Sequence, residues 1–161
     1  MSRFAYADPP YIGQAKRHYQ REEVDHEALI QQLESYDGWA LSCSSPSLRI
    51  ILPMTKPTVR VMAWVKPFAI FKPGVNPAYA WEPILVQCRS RKRSRKEPTI
   101  RDWVSANITL KKGLSGAKPE VFCRWLFDAM GMLLGDELSD LFPGTGIVTK
   151  CWDEQKLPSG S

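Results

Sequence analysis

Close to the amino terminus, Pro9 and Pro10 stop whatever backbone precedes them. Neither donates an N–H and both fix φ, so no strand or helix crosses the pair. The run before them, Phe4-Ala5-Tyr6-Ala7, is apolar and only four residues long, which suits a buried strand rather than a helix. The sequence therefore predicts an interior strand whose carboxyl end delivers Asp8 into a stiff turn, Asp8-Pro9-Pro10-Tyr11. A strand this short and apolar needs cover on both faces, which a sheet sandwiched between helices supplies.

The rest of the chain alternates in the same sense. Residues 12–24 carry no periodicity and read as a loop. Asp25 is a candidate cap for a helix over about 26–36 with Leu29, Ile30 and Leu33 on one face. Asp37-Gly38 ends it and Trp39–Cys43 reads as a strand. Ser44–Ser47 opens a helix through Leu48, Ile50, Ile51 and Leu52, closed before Pro53. Thr58–Val65 (TVRVMAWV) is the clearest strand, rich in β-branched and aromatic residues. Lys66–Pro77 holds three prolines and a glycine and reads as a long connection. Ala78–Cys88 is a strand interrupted at Trp81-Glu82-Pro83, which serves either as a polar wall beside a ligand or as a bulge. The spacing of Val121, Phe122, Trp125, Leu126, Ala129, Met130, Leu133 and Leu134 predicts a helix from Pro119 to Leu134 with one core stripe. Glu137–Phe142 is a short strand, Pro143-Gly144-Thr145-Gly146 a loop, and Ile147–Trp152 begins a last helix. Strands alternating with helices indicate an α/β sheet, in which ligands bind beyond the carboxyl ends of the strands.

Composition narrows the chemistry. In 161 residues, 43% are apolar and 24% charged, which is globular usage. No apolar run reaches 18 residues, so no membrane helix is expected, and MSRFAYADPPY lacks the build of a signal peptide. Cys43, Cys88, Cys123 and Cys151 stand far apart, and the only histidines are His18 and His26, so reduced buried cysteines and no metal site are expected. The net charge of +5 leans toward polyanionic partners.

At the two strand-end loops the residue types point to particular contacts. An acceptor-only carboxylate at Asp8 beside the rigid carbonyl of Pro9 suits a group with two N–H donors, such as a planar exocyclic amine. Tyr11 adds a flat surface on which a base stacks. A strand-ending turn with a capping Asp explains the same four residues. Gly144 and Gly146, after a strand and before a helix, let backbone approach a ligand. The loop is neither G-x-G-x-x-G nor a phosphate loop with its Lys, which disfavours a dinucleotide or ATP.

Together the two loops resemble those of the amino-methyltransferases, which use S-adenosylmethionine to methylate exocyclic amines of bases. Asp8-Pro9-Pro10-Tyr11 matches their D-P-P-Y/W motif at every position, in the Asp form typical of enzymes acting on adenine N6. Asp140-x-Phe142-x-Gly144-Thr145-Gly146 is similar to their cofactor motif D-x-F-x-G-[ST]-G, and Lys118-Pro119 to their K-P segment. The catalytic motif comes first and the cofactor motif last, as in the permuted adenine methyltransferases. The resemblance runs from Phe4 to about Trp152, with the middle third matching only as pattern.

The resemblance implies a compact Rossmann-like α/β methyltransferase fold, mainly parallel, circularly permuted and truncated, over residues 1–157, with 158–161 a flexible tail. It implies catalysis by Asp8, Pro9, Pro10 and Tyr11 on a flipped adenine in DNA. It places Ala7, Asp8, Lys118, Asp140, Phe142, Gly144, Thr145 and Gly146 at S-adenosylmethionine, which leaves as S-adenosylhomocysteine. Family domains continue past the cofactor loop into a strand whose acidic end binds the ribose. Here residues 147–161 follow it, so the expectation is either that the ribose is held differently, as by residues of the 66–82 connection, or that cofactor affinity is reduced. A bacterial or phage-infected cytoplasm is the implied location, and a second protomer or a partner subunit is an implied aid in gripping a duplex. The alternative is a weak or inactive nucleic-acid-binding homologue working with a partner subunit. Methylation of RNA, or of a protein glutamine (where Asn-Pro-Pro-Tyr is typical), is a further alternative.

Two basic segments complete the reading. Lys16, Arg17, His18 and Tyr19 follow the catalytic turn and suit the target strand. Arg89, Arg91, Lys92, Arg93, Arg95 and Lys96, six cations in eight residues, suit phosphate contact or, equally, a solvated loop. Trp103, after Arg101, reads as a stacking partner or as a partly buried aromatic.

Overall fold

The apolar run ahead of the two prolines is a strand, β1 (Arg3–Ala7), buried from Phe4 onward. A computed structural model describes residues 1–10, 23–68, 71–88, 91–108 and 118–157. Helix α1 (His26–Leu33) starts at Asp25, whose carboxylate accepts the Ala28 N–H at 3.0 Å. β2 (Gly38–Ser42) follows, then α2 (Ser45–Ile51), capped by the Ser44 hydroxyl and extended by a 3-10 turn over Leu52–Met54. Next come β3 (Arg60–Val65), β4 (Trp81–Gln87) and β5 (Trp103–Ser105). The chain closes with α3 (Glu120–Met130), β6 (Glu137–Asp140) and α4 (Ile147–Lys156).

The strands form one sheet in the order β5-β3-β4-β2-β1-β6. β1 is parallel to β2 and β6, β3 is parallel to β5, and β4 is antiparallel to both β2 and β3. Five strands therefore share a direction and β4 runs against them. The first and last strands are neighbours, with Tyr6 opposite Asp140, so the turn after β1 and the loop after β6 open at one edge.

Strand alternation divides the core into two layers. Phe4, Tyr6, Ala40, Met62, Trp64, Ile84 and Val86 pack under α3 and α4, against Phe122, Leu126, Val148 and Trp152. Ala5, Ala7, Trp39, Leu41 and Leu85 pack under α1 and α2, against Leu29, Ile30, Leu33 and Ile51. A sheet covered on both faces is what the apolar β1 run requires. Among the described residues, no helix is long and apolar enough to cross a membrane.

Three local expectations are corrected. Trp81-Glu82-Pro83 does not interrupt a strand; it begins β4. Pro83 is tolerated because the Ala63 N–H turns away to Asp102 O at 3.0 Å, leaving Ala63–Pro83 a non-hydrogen-bonded pair. The missing Pro83 N–H therefore faces the end of β2, where Cys43 N–H donates to Pro83 O at 3.1 Å. The long helix stops at Met130, not Leu134. Gly131 adopts φ 80° and Met132 N–H closes back on Phe127 O at 3.1 Å, a left-handed glycine stop. Leu133 and Leu134 are consequently exposed, Val121 in the first turn faces outward as well, and the core stripe narrows to Phe122, Trp125, Leu126, Ala129 and Met130. Finally, α1 ends at Leu33, and Glu34 to Tyr36 form a turn.

Asp136 fixes β6 beside β1. Its buried carboxylate accepts the Ser2 N–H at 2.9 Å and the Leu133 N–H at 2.8 Å, and its carbonyl accepts Trp152 Nε1–H at 3.0 Å. Asp136→Ala removes the acceptor of two backbone donors and is expected to cost about 2–3 kcal/mol. Urea denaturation should show a lower midpoint at unchanged slope.

Candidate active site

Alternation also collects the polar residues. Tyr6 on β1, Ser42 on β2, Trp64 on β3, Glu82 on β4 and Asp140 on β6 are even-numbered positions of the α3–α4 layer or direct cross-strand partners of such positions. Asp8 and Lys66 continue the same parity just past their strands. All lie at the carboxyl edge of the parallel strands, where β4 begins.

Two ion pairs organise this edge. Lys118, immediately before the cap of α3, bonds Asp8, Nζ to Oδ2 2.7 Å, with the two side chains 12% and 29% exposed. Lys66 bonds Glu82, Nζ to Oε2 2.8 Å, and Glu82 is 4% exposed. Both ammonium groups lie over the buried Trp64 ring, at 4.3 Å for Lys66 and 5.3 Å for Lys118, so its negative face adds to the attraction. Burial works against the charge on Lys118, but Asp8 and then Glu82 outweigh it and hold the ammonium above its ordinary pKa. It stays protonated across the physiological range.

Below this layer the Tyr6 hydroxyl and Ser42 Oγ share a buried hydrogen bond of 2.7 Å. Burial, then the charges of Asp8 and Glu82, push the Tyr6 hydroxyl well above its usual range, so it is a neutral floor and not a base. Asp140 is different. Burial above all, then the Asp8 charge, raises its carboxyl to about 6 against a backbone hydrogen bond from Phe142 and the Lys118 charge. Its Oδ1 and the Oε1 of Glu82 are buried with no hydrogen-bond partner. Each is an acceptor in want of a donor.

After Asp140 the chain turns through Gly144 (φ 53°) and Gly146 (φ 75°), the latter capping α4. A Cβ at either would meet nothing within 4 Å. The glycines are required by the left-handed backbone, and the space in front of them is open to a ligand.

Asp8, Lys118, Asp140, Gly144, Thr145 and Gly146 are thus gathered at one edge. Ala7 and Phe142 pack instead with the α1–α2 layer, so their side chains lie on the other side of the sheet. Pro9 is buried and Pro10 half-buried in the turn. Tyr11, Lys16, Arg17, His18 and Arg89 lie outside the described residues. Lys66, Trp64, Tyr6 and Ser42 were not singled out as site residues from sequence. The signal available for them was the two-residue period of a strand: Tyr6 stands two positions before Asp8, and Trp64 two before Lys66.

The cationic run is not at this edge. β4 is reversed, with Gln87 opposite Trp39 near the start of β2, so residues 91–96 follow at the opposite end of the sheet from Asp8. Arg91 is fastened there. Its guanidinium grips Glu97 with two bonds, 2.9 and 3.1 Å, and its Nε donates to Gly131 O at 3.3 Å. Arg93 donates to Asp128 O at 2.7 Å. Lys92, Arg95 and Lys96 are exposed. Trp103 is 46% exposed on the outermost strand, β5.

The raised Asp140 carboxyl has a measurable sign. Its native form binds a proton more tightly than the unfolded form, so this stabilisation is complete below pH 3.8 and is lost as pH rises through about 6. Asp140→Asn should therefore gain stability relative to the parent chain between pH 4 and 6.5, with a constant difference above that. Urea titrations at half-unit pH steps check it, and parallel stability curves would refute it.

No family model matches this chain, and no curated protein does. Solved structures do match. A crystal structure of the M1.HpyAVI–SAM complex superposes with a TM-score of 0.64 at 14% identity, covering 96% of this chain and 78% of that one. The crystal structure of M1.HpyAVI gives 0.63 at 12% identity, with 96% and 77% covered. Across nearly its whole length the chain has the Rossmann-like α/β fold of those structures.

Proposed function

We propose that the chain is an S-adenosylmethionine-dependent methyltransferase acting on the exocyclic N6 amine of adenine in DNA. The observation that carries this is the meeting of Asp8 and the 140–146 loop at adjacent strand ends, first and last in the chain. The fold supports it, being shared with a protein crystallised with SAM. The order of the two loops supports a permuted arrangement of the family fold.

The residues present fit the cofactor. Asp8, Glu82 and Asp140 stand against Lys66 and Lys118, three acids to two ammonium groups, which favours a cationic ligand at neutral pH. Asp140 Oδ1 offers a free buried acceptor, and the open space before Gly144 and Gly146 admits a ligand to the backbone. When bound there, S-adenosylmethionine supplies a methyl group on a sulfonium. The Asp8 carboxylate and the Pro9 carbonyl accept the two N–H bonds of the target amine and keep its lone pair aimed across the crevice. Tyr11 stacks on the flipped base. Lys16, Arg17 and His18, next in the chain, contact the phosphates that flank it. Lys92, Arg95 and Lys96, at the other end of the sheet, attract DNA at long range without holding the target strand.

Transfer of a radioactive methyl group to DNA and to RNA, followed by nucleoside analysis, tests the reading. N6-methyladenine from DNA is the expected product. A chain that binds S-adenosylhomocysteine but methylates neither polymer would instead be a binding homologue that needs a partner subunit. Asp8→Asn keeps the shape of the turn and an oxygen acceptor for Lys118, and is expected to lower kcat by about a hundredfold or more in a chain that still folds, at a lower melting temperature. Retention within about tenfold would remove Asp8 from the chemistry.

Replacing Lys92, Arg95 and Lys96 together by Ser should lower kcat/KM on DNA about threefold to tenfold in dilute salt and leave kcat unchanged. The difference should vanish near 0.5 M salt, where the Debye length is only about 4–5 Å. A loss of kcat would instead place these cations at the target strand.

A further inference from the structure

Glu82 is committed through only one of its oxygens. Oε2 holds Lys66 at 2.8 Å, while Oε1 is buried with no donor. The residue is 4% exposed, so bulk water does not make up the deficit. A buried half-paired carboxylate is uncommon in a folded protein, and the oxygen left over is a ready acceptor for a mobile donor nearby.

The available donor is Lys118. An ammonium carries three N–H bonds, and one is used on Asp8 at 2.7 Å. Lys118 lies over the Trp64 ring, and Trp64 is the direct cross-strand partner of Glu82. Both Asp8 and Glu82 act on its charge. The ammonium is thus bonded to Asp8 and lies over an indole whose cross-strand partner is the second carboxylate, Glu82.

This matters because Asp8 is claimed twice. The target amine needs the carboxylate that Lys118 occupies. We infer that Lys118 exchanges partners when the base enters, leaving Asp8 Oδ2 for Glu82 Oε1 as the amine takes Asp8. Glu82 is then a positioning residue. It does not touch the base; it receives the displaced ammonium, so that no buried charge is left unpaired at the moment of binding. The inference rests on the proposed methyltransferase reading for what displaces Lys118.

Glu82→Gln keeps the size and a carbonyl for Lys66, but removes the second anionic oxygen. It is expected to lower kcat at least tenfold. Lys118→Arg, whose planar fork holds Asp8 with two bonds, is expected to lose kcat similarly and provides a second variant if Glu82→Gln folds poorly. The side-chain NMR signal of Lys118 in lysine-labelled protein reads the exchange without activity. Adding an adenine-containing oligonucleotide should move that signal in the parent protein and not in Glu82→Gln. A kcat within twofold of the parent in both variants, or the same movement of the signal with and without Glu82, overturns the inference. A parent chain that shows no methyl transfer defeats the functional reading instead, and the NMR comparison still decides the exchange.

Discussion

The pairing of β1 with β6 is the constraint on which the rest of the site depends. Those strands are separated by most of the chain, yet Tyr6 stands opposite Asp140 and Leu141 N–H donates to Tyr6 O at 2.9 Å. Without that register, Asp8 and the glycine loop would be two unrelated turns. With it, a rigid acceptor turn and an open backbone cradle share one edge. Asp136 anchors the start of the same pairing from beneath, so a buried carboxylate at one end of β6 helps set the position of the Asp140 carboxylate at the other.

Both buried ammonium groups at that edge are paired, and Asp140 is left as the one acid beyond those pairs. Isolated ions inside a protein are costly, and a pair is stable only when both partners remain in place. Two acid–base pairs around one indole meet this condition while leaving single oxygens of Glu82 and Asp140 free. The result is a crevice that is electrically nearly balanced yet has unused hydrogen-bonding capacity. That combination suits binding and exchange better than it suits stability.

Much of this was legible in the sequence, for identifiable reasons. Prolines 9 and 10 fixed the end of β1 without any tertiary information, and Asp25 and Ser44 marked helix starts through local capping. The two loops were readable because each needs residues with special backbone behaviour. What escaped was set by tertiary context. Pro83 looked like a strand breaker because its silent side, facing the end of β2, is invisible in one dimension. The helix was extended to Leu134 because apolar spacing continues past Gly131, which only its left-handed φ reveals as a stop. Lys66 and Glu82 are 16 residues apart, and nothing local announces that they meet over Trp64. The cationic run is plain in the sequence as a charge cluster, but its side of the molecule follows from the reversal of β4.

That reversal partitions the molecule. A strand that runs against its neighbours carries its first residues into the crevice and its last residues to the far pole, so Glu82 and the basic loop are close in sequence yet served by different surfaces. The same property makes this loop a natural place to join a second module, such as a sequence-reading domain or a surface tether. A fusion there would hold the protein by its back, with the crevice facing outward.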